Sequence, residues 1–353
     1  MPSWLEAVRE SVGPTLFDYA VSPAVKILVL MFLGILPLIT YLVLAERKIL
    51  GFIQARVGPN RVGPWGLGQP IADVLKLLVK EDTMPRQAVK WAFILAPCLV
   101  VAPALIIFAV IPMGPRPEGD GLAWYITDVD TGALFIIALA TIGVYGLILG
   151  GWSSNNKFSL MGGLRSAAQM ISYEVPQGLA LVGPLMLAGS LSLIQIVESQ
   201  REMRLWFFVP QLVAFFIYVV AGVAESNRNP FDLPEAESEL VAGFHTEYSG
   251  MRFALFFLGE YANMIVISAV ATTLFLGGWL RPFPNVEWLG FLDVVPSVLW
   301  FALKVFAFLF VYIWFRGTFP RYRFDQLMDL GWKWMIPLAL ANILVTGLLK
   351  LTL

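Results

Sequence analysis

Cysteine and histidine are almost absent from this sequence: Cys98 and His245 are single occurrences in 353 residues. One cysteine excludes an internal disulfide. It also excludes an iron–sulfur cluster or structural zinc held by this chain's own thiolates, because those centres need several. One histidine cannot alone build a haem or multi-histidine centre, so no metal site is expected. Charge is scarce too. Asp, Glu, Lys and Arg make up 14% of the residues, against about 25% in a soluble domain. The 24 basic and 25 acidic residues nearly cancel, which leaves no basic surface for nucleic acid. There is no P-loop and no glycosylation sequon. No cleavable signal peptide is expected. Residues 1–25 carry Glu6, Arg9, Glu10 and Asp18 among prolines, and the first apolar run ends in Glu46-Arg47-Lys48 rather than a small-residue cleavage site.

Apolar residues are what the chain has in excess, at 58%. They fall in long continuous runs separated by charged patches. A spanning helix needs about twenty mostly apolar residues, and eight runs qualify: 25–45, 90–112, 131–151, 166–190, 205–224, 253–277, 294–315 and 333–353. Continuous rather than alternating runs argue against a strand barrel. The expected fold is therefore all-α, a single polytopic helix bundle over 1–353 set in a lipid bilayer. The first, third, fifth and seventh loops hold 15 Lys and Arg, and the N-terminal segment and the even loops hold 6. The positive-inside bias then puts the odd loops in the cytoplasm and both termini outside. The fifth loop, 225–252, departs from this pattern. It sets Glu225, Asp232, Glu235, Glu237, Glu239 and Glu247 against Arg228 and Arg252. Either it is a solvated loop, or some of its carboxylates fold back into the bundle as protonatable groups.

Three ionisable residues lie inside expected spans: Glu174, Glu260 and Lys304. A charge at a helix centre costs roughly 2.5–3.5 kcal/mol on insertion scales, so each needs a polar surrounding. Structural ion pairs, with Lys304 neutralising one glutamate, and a proton relay both satisfy that need. Pro176 and Pro184 should bend the fourth span and open backbone carbonyls near Glu174. Cys98 is expected to pack as a small apolar residue, and His245 to be a surface residue of the acidic loop.

The first loop, 46–90, is basic and rich in glycine and proline. Arg56-Val57-Gly58-Pro59 recurs as Arg61-Val62-Gly63-Pro64, and Gly66, Gly68 and Pro70 follow. Such density specifies a fixed irregular backbone. Ile71, Val74, Leu75 and Leu78 then recur at helical spacing, with Asp73, Lys76 and Lys80 off that face. The pattern predicts a short amphipathic helix at the membrane surface. The loop before it reads as a docking surface or the mouth of a site.

Several of these segments carry a family resemblance. They are Glu46 to Gly51, Gln54 to Asn60, Gln69 to Asp73 with Lys76, Gly151 to Lys157, Arg165 to Gln169, Ser172-Tyr173-Glu174, Ala224 to Arg228, Pro230 to Leu233, Glu235 to Leu240, Gly259-Glu260-Tyr261, Arg316-Gly317-Thr318 and Pro320 to Leu327. The chain resembles the H subunit of bacterial NADH-quinone oxidoreductase, equivalent to subunit 1 of mitochondrial complex I, along all but its first twenty residues. The resemblance implies a membrane subunit beneath a peripheral arm, in a bacterial inner membrane. It implies that the chain forms most of the tunnel for ubiquinone, or menaquinone in some hosts. It also implies neighbours that carry the terminal iron–sulfur cluster and the quinone headgroup site, together with small and antiporter-like membrane subunits. No FMN or iron–sulfur cluster is implied in this chain. The implied proton relay comprises Glu174, Glu225, Glu235 and Glu260, with Glu237, Glu239 and Asp232 in the same acidic segment, and Lys304 joins the candidates from its own place inside the seventh span. The implied tunnel mouth and arm interface comprise Glu46, Arg47, Arg56, Asp73, Lys76, Arg228 and Arg316. A related hydrogenase-type complex and a stand-alone proton-coupled transporter remain as alternatives. The chain shows no internal repeat of the kind many transporter folds carry, beyond the five-residue tandem at Arg56 and Arg61.

Overall fold

The computed structural model describes residues 22–116, 124–234, 240–283 and 287–352, and these residues form helices and connections with no strand among them. In chain order the principal helices are α1 (Pro23–Ile53), α2 (Gln69–Val79), α3 (Lys90–Ile107), α4 (Gly132–Ser153), α5 (Lys157–Ala188), α6 (Leu193–Glu202), α7 (Leu212–Glu225), α8 (Gly250–Phe275), α9 (Ser297–Thr318) and α10 (Phe324–Leu351). The protein is a polytopic helical membrane bundle. Six of the helices are long and apolar enough to cross a bilayer, and α5 with α6, bent by 55° at their junction, forms a seventh candidate. The eighth expected span corresponds to α7, which has only 14 residues. At 1.5 Å per residue that is about 21 Å, short of the roughly 30 Å hydrocarbon core.

Prolines shape the first and last spans. Leu30–Ile35 in α1 and Leu330–Met335 in α10 are wound as π-helix, and Pro37 and Pro337 follow each by two residues. Proline has no N–H to donate, and its ring crowds the carbonyl four residues back. A wider turn relieves that crowding.

Two boundaries differ from the hydropathy reading. α1 runs on to Ile53, so Glu46 and Arg47 sit in a helix rather than in the first loop, and Glu46 is buried. α5 begins at Lys157, not near 166, because Ser159, Ser166, Gln169 and Ser172 are buried against other helices rather than facing lipid. The predicted amphipathic helix is α2, with Ile71, Val74, Leu75 and Leu78 exposed. Cys98 is exposed on α3 rather than packed inside. His245 is buried, not on the surface.

α3 packs on α4, α4 on α5, α5 on α7 and α10, and α8 on α3, α7 and α9. Val100 of α3 fixes one of these crossings. A Cβ on Gly259 of α8 would lie 2.6 Å from Val100 Cγ1, and one on Gly146 of α4 would lie 2.8 Å from the Ala96 carbonyl. Only glycine permits that approach, which brings α4 and α8 onto the two sides of α3. Nearby, Tyr248 stacks on Phe93 with ring centroids 4.0 Å apart. Burial pushes its phenol up to about 12, so it acts as a neutral anchor for the loop before α8.

The odd loops meet at one end of the bundle. Thr83 N donates to Ser249 Oγ at 2.8 Å, Asn155 Nδ2 to Gln87 Oε1 at 3.0 Å, Asn156 Nδ2 to Glu247 Oε1 at 2.6 Å, and Asn229 Nδ2 to the Phe319 carbonyl at 3.1 Å. At the other end Ser192 Oγ donates to Asp128 at 3.0 Å, and Gln200 Nε2 to the Thr273 carbonyl at 3.0 Å.

Lys304 belongs to that second end, and its partners are not the expected glutamates. Its ammonium donates to the carbonyls of Leu276, Gly278 and Leu280 at 2.6, 2.9 and 2.7 Å, and it lies 4.6 Å from the Trp206 ring centre. These carbonyls lie at and just past the C-terminus of α8, where the helix dipole is negative and oxygens lack intrahelical donors. Lys304 is thus a cap on a neighbouring helix. Lys304→Met orphans three carbonyls at about 1–3 kcal/mol each where they stay dry. The detergent-solubilised variant should unfold at a lower temperature than wild type, which a thermal denaturation series would measure.

Candidate functional site

Four charged residues near the odd-loop end form one ionic chain. Arg316, at the end of α9, contacts Glu46 of α1. Arg228, just beyond α7, places Nη1 3.3 Å from both Glu46 oxygens and Nε 2.5 Å from Glu260 of α8. Tyr261 completes the group. Its hydroxyl donates to Glu46 Oε2 at 2.8 Å, and its ring lies 4.4 Å from the Arg228 guanidinium. Arg228 and Glu46 side chains are each only 6% exposed. A buried charge persists only when paired and hydrogen-bonded, and this chain alternates sign along its length: arginine, glutamate, arginine, glutamate. Residues assigned separately by resemblance, Glu46, Arg228 and Arg316 to the tunnel and Glu260 to the relay, are therefore physically continuous.

Glu225 and Glu174 form a second group of different character. No ion pair joins either to an arginine or lysine among the described residues, and Glu225 Oε2 and Glu174 Oε1 are buried without a hydrogen-bond partner. Neutral polar groups surround them: the Gln177 side chain lies against Glu225, and the Thr141 side chain against Glu174. Two small cavities adjoin. One, with a volume of about 20 Å3 open to water centres, is bordered by Glu260, His245, Asn227, Glu225 and Asn263. The other, of about 40 Å3, is bordered by Glu225, Asn263, Gln177, Glu174 and Thr141.

Gln169 of α5 positions Glu225 from behind. Its amide nitrogen donates to the carbonyls of Ala224 and Phe231, both at 2.7 Å, and to Asn227 Oδ1 at 3.2 Å. Three acceptors within residues 224–231 hold the end of α7 and the start of the fifth loop against α5. The acidic loop thus folds back at its beginning rather than lying in solvent.

The remaining expected residues sit at the rim. Asp73 of α2 accepts from Arg47 at 2.7 Å and from Gln69 at 2.9 Å, tying the amphipathic helix to the end of α1. Arg56 donates to Gln54 within its own loop at 2.6 Å, and Lys76 is exposed. Asp232 accepts from Arg321 at 2.9 Å, which joins the fifth loop to the seventh. Glu235, Glu237 and Glu239 lie outside the described residues. Sequence reasoning missed Gln169, Gln177, Thr141, Asn263 and Tyr261. One signal was available: each intramembrane carboxylate is followed three residues later by a carboxamide, Glu174 by Gln177 and Glu260 by Asn263. That spacing puts each pair on one helix face.

Residues 25–347 match the NADH dehydrogenase family. The chain is 54% identical over 336 residues to the NADH-quinone oxidoreductase H subunit numbered 1 in Geobacter metallireducens, covering 95% of this chain and 98% of the relative. It is 54% identical over 320 residues to the H subunit numbered 2 in Geobacter sulfurreducens, covering 90% and 93% of the two chains. Against the NADH-quinone oxidoreductase H subunit of Magnetococcus marinus it is 53% identical over 310 residues, covering 88% and 86%. With matches of this extent along nearly its whole length, the chain belongs to the family of NADH-quinone oxidoreductase H subunits.

Proposed function

We propose that this chain lines the quinone tunnel of a proton-pumping NADH:quinone oxidoreductase and couples quinone reduction to proton movement through two linked groups of buried side chains. The substrate is ubiquinone or menaquinone, bound jointly with peripheral subunits that hold the terminal iron–sulfur cluster. The odd loops face the cytoplasm of a bacterial cell and form the docking surface, and both termini face the periplasm. The excess of basic residues in those loops supports this orientation, as does their mutual hydrogen bonding at one end.

The observation that carries the reading is the ionic chain from Arg316 through Glu46 and Arg228 to Glu260, which ends beside the cavities that Glu225 and Glu174 border. Reduction of a quinone at the odd-loop end changes the charge there. A unit charge about 10 Å away acts with roughly 1.7 kcal/mol at an effective dielectric of 20, enough to change a carboxylate's proton occupancy more than tenfold. Arg228 shares its charge between Glu46 and Glu260, so any pull toward the quinone weakens its hold on Glu260. Glu260 then takes up a proton, and Glu225 and Glu174 relay the disturbance toward the antiporter-like subunits.

Glu174→Gln tests this in membranes holding the whole complex. The amide keeps the shape and removes the proton site. NADH:ferricyanide activity should stay at the wild-type level, while inhibitor-sensitive quinone reduction and NADH-driven acidification fall by about fivefold, a loss of roughly 1 kcal/mol in coupling. Unchanged quinone reduction and acidification would remove Glu174 from the relay.

A further inference from the structure

The two cavities of the relay share two residues, Glu225 and Asn263. Glu225 is the carboxylate common to both. Asn263 has no part in the function proposed above, yet it stands at the same junction. It lies one turn beyond Glu260 on α8, so both side chains face the same way. Its carboxamide offers two donors and two acceptor sites. It is partly buried in an otherwise apolar stretch of α8, where Ala262, Met264, Ile265 and Val266 are all buried. A polar amide placed there without a polar function would be a burden to the helix.

We propose that Asn263 is a gate and positioning residue. Its amide joins the two cavities into one water-filled path between Glu260 and Glu174, and it orients the water that passes a proton to and from Glu225. This inference rests on the relay reading and adds a control point to it. The cavity sizes fit the role. A water needs roughly 10–15 Å3 of such volume and two to four polar partners. The 20 Å3 cavity therefore has room for at least one water, and the 40 Å3 cavity for at least two. Glu225 Oε2 and Glu174 Oε1, both without protein partners, supply acceptors, and Asn263 can donate to one water while accepting from the next. A side-chain rotation of Asn263 breaks or completes the connection without moving a helix. Arg228 bonds to Glu260 one turn away, so a shift of that arginine is felt at the gate through α8 itself.

The test uses the whole complex in membranes, with Asn263→Leu, Asn263→Ser and, as a control on the relay itself, Glu174→Gln. Leucine matches asparagine in size and removes every hydrogen-bonding group. Rates are normalised to NADH:ferricyanide activity and measured in H2O and D2O. Asn263→Leu is expected to slow quinone reduction by about fivefold and to raise the solvent isotope effect above wild type, because proton passage becomes the slow step. Asn263→Ser, which keeps a polar group and leaves room for water, should stay within about twofold of wild type with a normal isotope effect. Where the leucine variant does not assemble, Asn263→Val, which is smaller in reach than leucine, carries the same expectation. A normal rate in Asn263→Leu with an impaired Glu174→Gln overturns the gate and leaves the relay standing. Normal rates in both remove the relay and the gate together. Equal slowing by leucine and serine with an unchanged isotope effect assigns Asn263 to packing and overturns the proposal.

Discussion

Membranes carrying Arg228→Met are expected to hold little assembled complex, and this is the largest effect foreseen for any single substitution in the chain. Arg228 sits between Glu46 and Glu260 with 6% of its side chain exposed. Methionine approximates its stem but leaves two carboxylates facing each other across the gap. Breaking a buried pair by removing one partner costs about 3–5 kcal/mol, and a typical folded domain has only about 5–15 kcal/mol to lose. A second substitution that removes one of the two facing charges, Glu46→Gln or Glu260→Gln, should therefore restore part of the assembly in the Arg228→Met background. Arg228→Lys should restore little, because one ammonium cannot reproduce the forked contacts of a guanidinium to two carboxylates and a tyrosine face. Native gels stained for NADH dehydrogenase activity give the amount of complex directly. Wild-type amounts in Arg228→Met would mean that Glu46 and Glu260 do not carry charge together, and the ionic chain would cease to be a means of coupling.

The order of the spans is legible in the sequence because long hydrophobic runs have few other uses, although the run at 205–224 forms only the 14-residue α7. Their ends are less so. Hydropathy stops the first run at 45 because Glu46-Arg47-Lys48 is charged, yet the helix continues to Ile53, since the ion pairs of Glu46 remove the cost that hydropathy assigns to it. The start of α5 is hidden for a related reason. Ser159, Ser166, Gln169 and Ser172 lower the hydropathy of a segment whose polar groups are buried against protein, a surrounding that a linear sequence does not display. The charged members of the site stand out as rare letters in an apolar text. Their neutral partners are fainter: Gln177 and Asn263 carry only the three-residue spacing from a carboxylate, and Thr141 gains meaning only from the cavity it borders. Lys304 shows the opposite error. An amine in a span suggests a carboxylate partner, and three backbone carbonyls answer it instead. Backbone acceptors are invisible in composition, so a lysine paired with a helix end cannot be told by letters from a lysine paired with an acid.

Glu225→Gln is expected to uncouple the complex more deeply than Glu174→Gln, because Glu225 alone of the described carboxylates borders both cavities. The substitution keeps volume, and glutamine can still meet Gln177 through its own carbonyl oxygen, so assembly and ferricyanide activity should be preserved. What disappears is the one group among the described residues that stands at the junction and is able to bind and release a proton. One positioned acid–base group is worth roughly 10²–10⁴-fold where no bypass exists, and water in the adjoining cavities offers a partial bypass. A fall of about tenfold or more in inhibitor-sensitive quinone reduction is therefore expected, with acidification lost in proportion or further. Glu225→Asp separates protonation from placement. It retains the carboxyl but withdraws it by one methylene, so it should keep more activity than Gln if the proton matters, and less if only the length of the side chain matters. The double variant Glu174→Gln with Glu225→Gln decides whether the two act in series. On one path the second loss adds little to the first, because a broken route cannot be broken again. On separate paths the two losses multiply, as for independent sites. A double variant no slower than Glu225→Gln alone would place Glu174 downstream on the same route. A multiplied loss would divide the relay at Glu225 and send protons past Asn263 by two different ways.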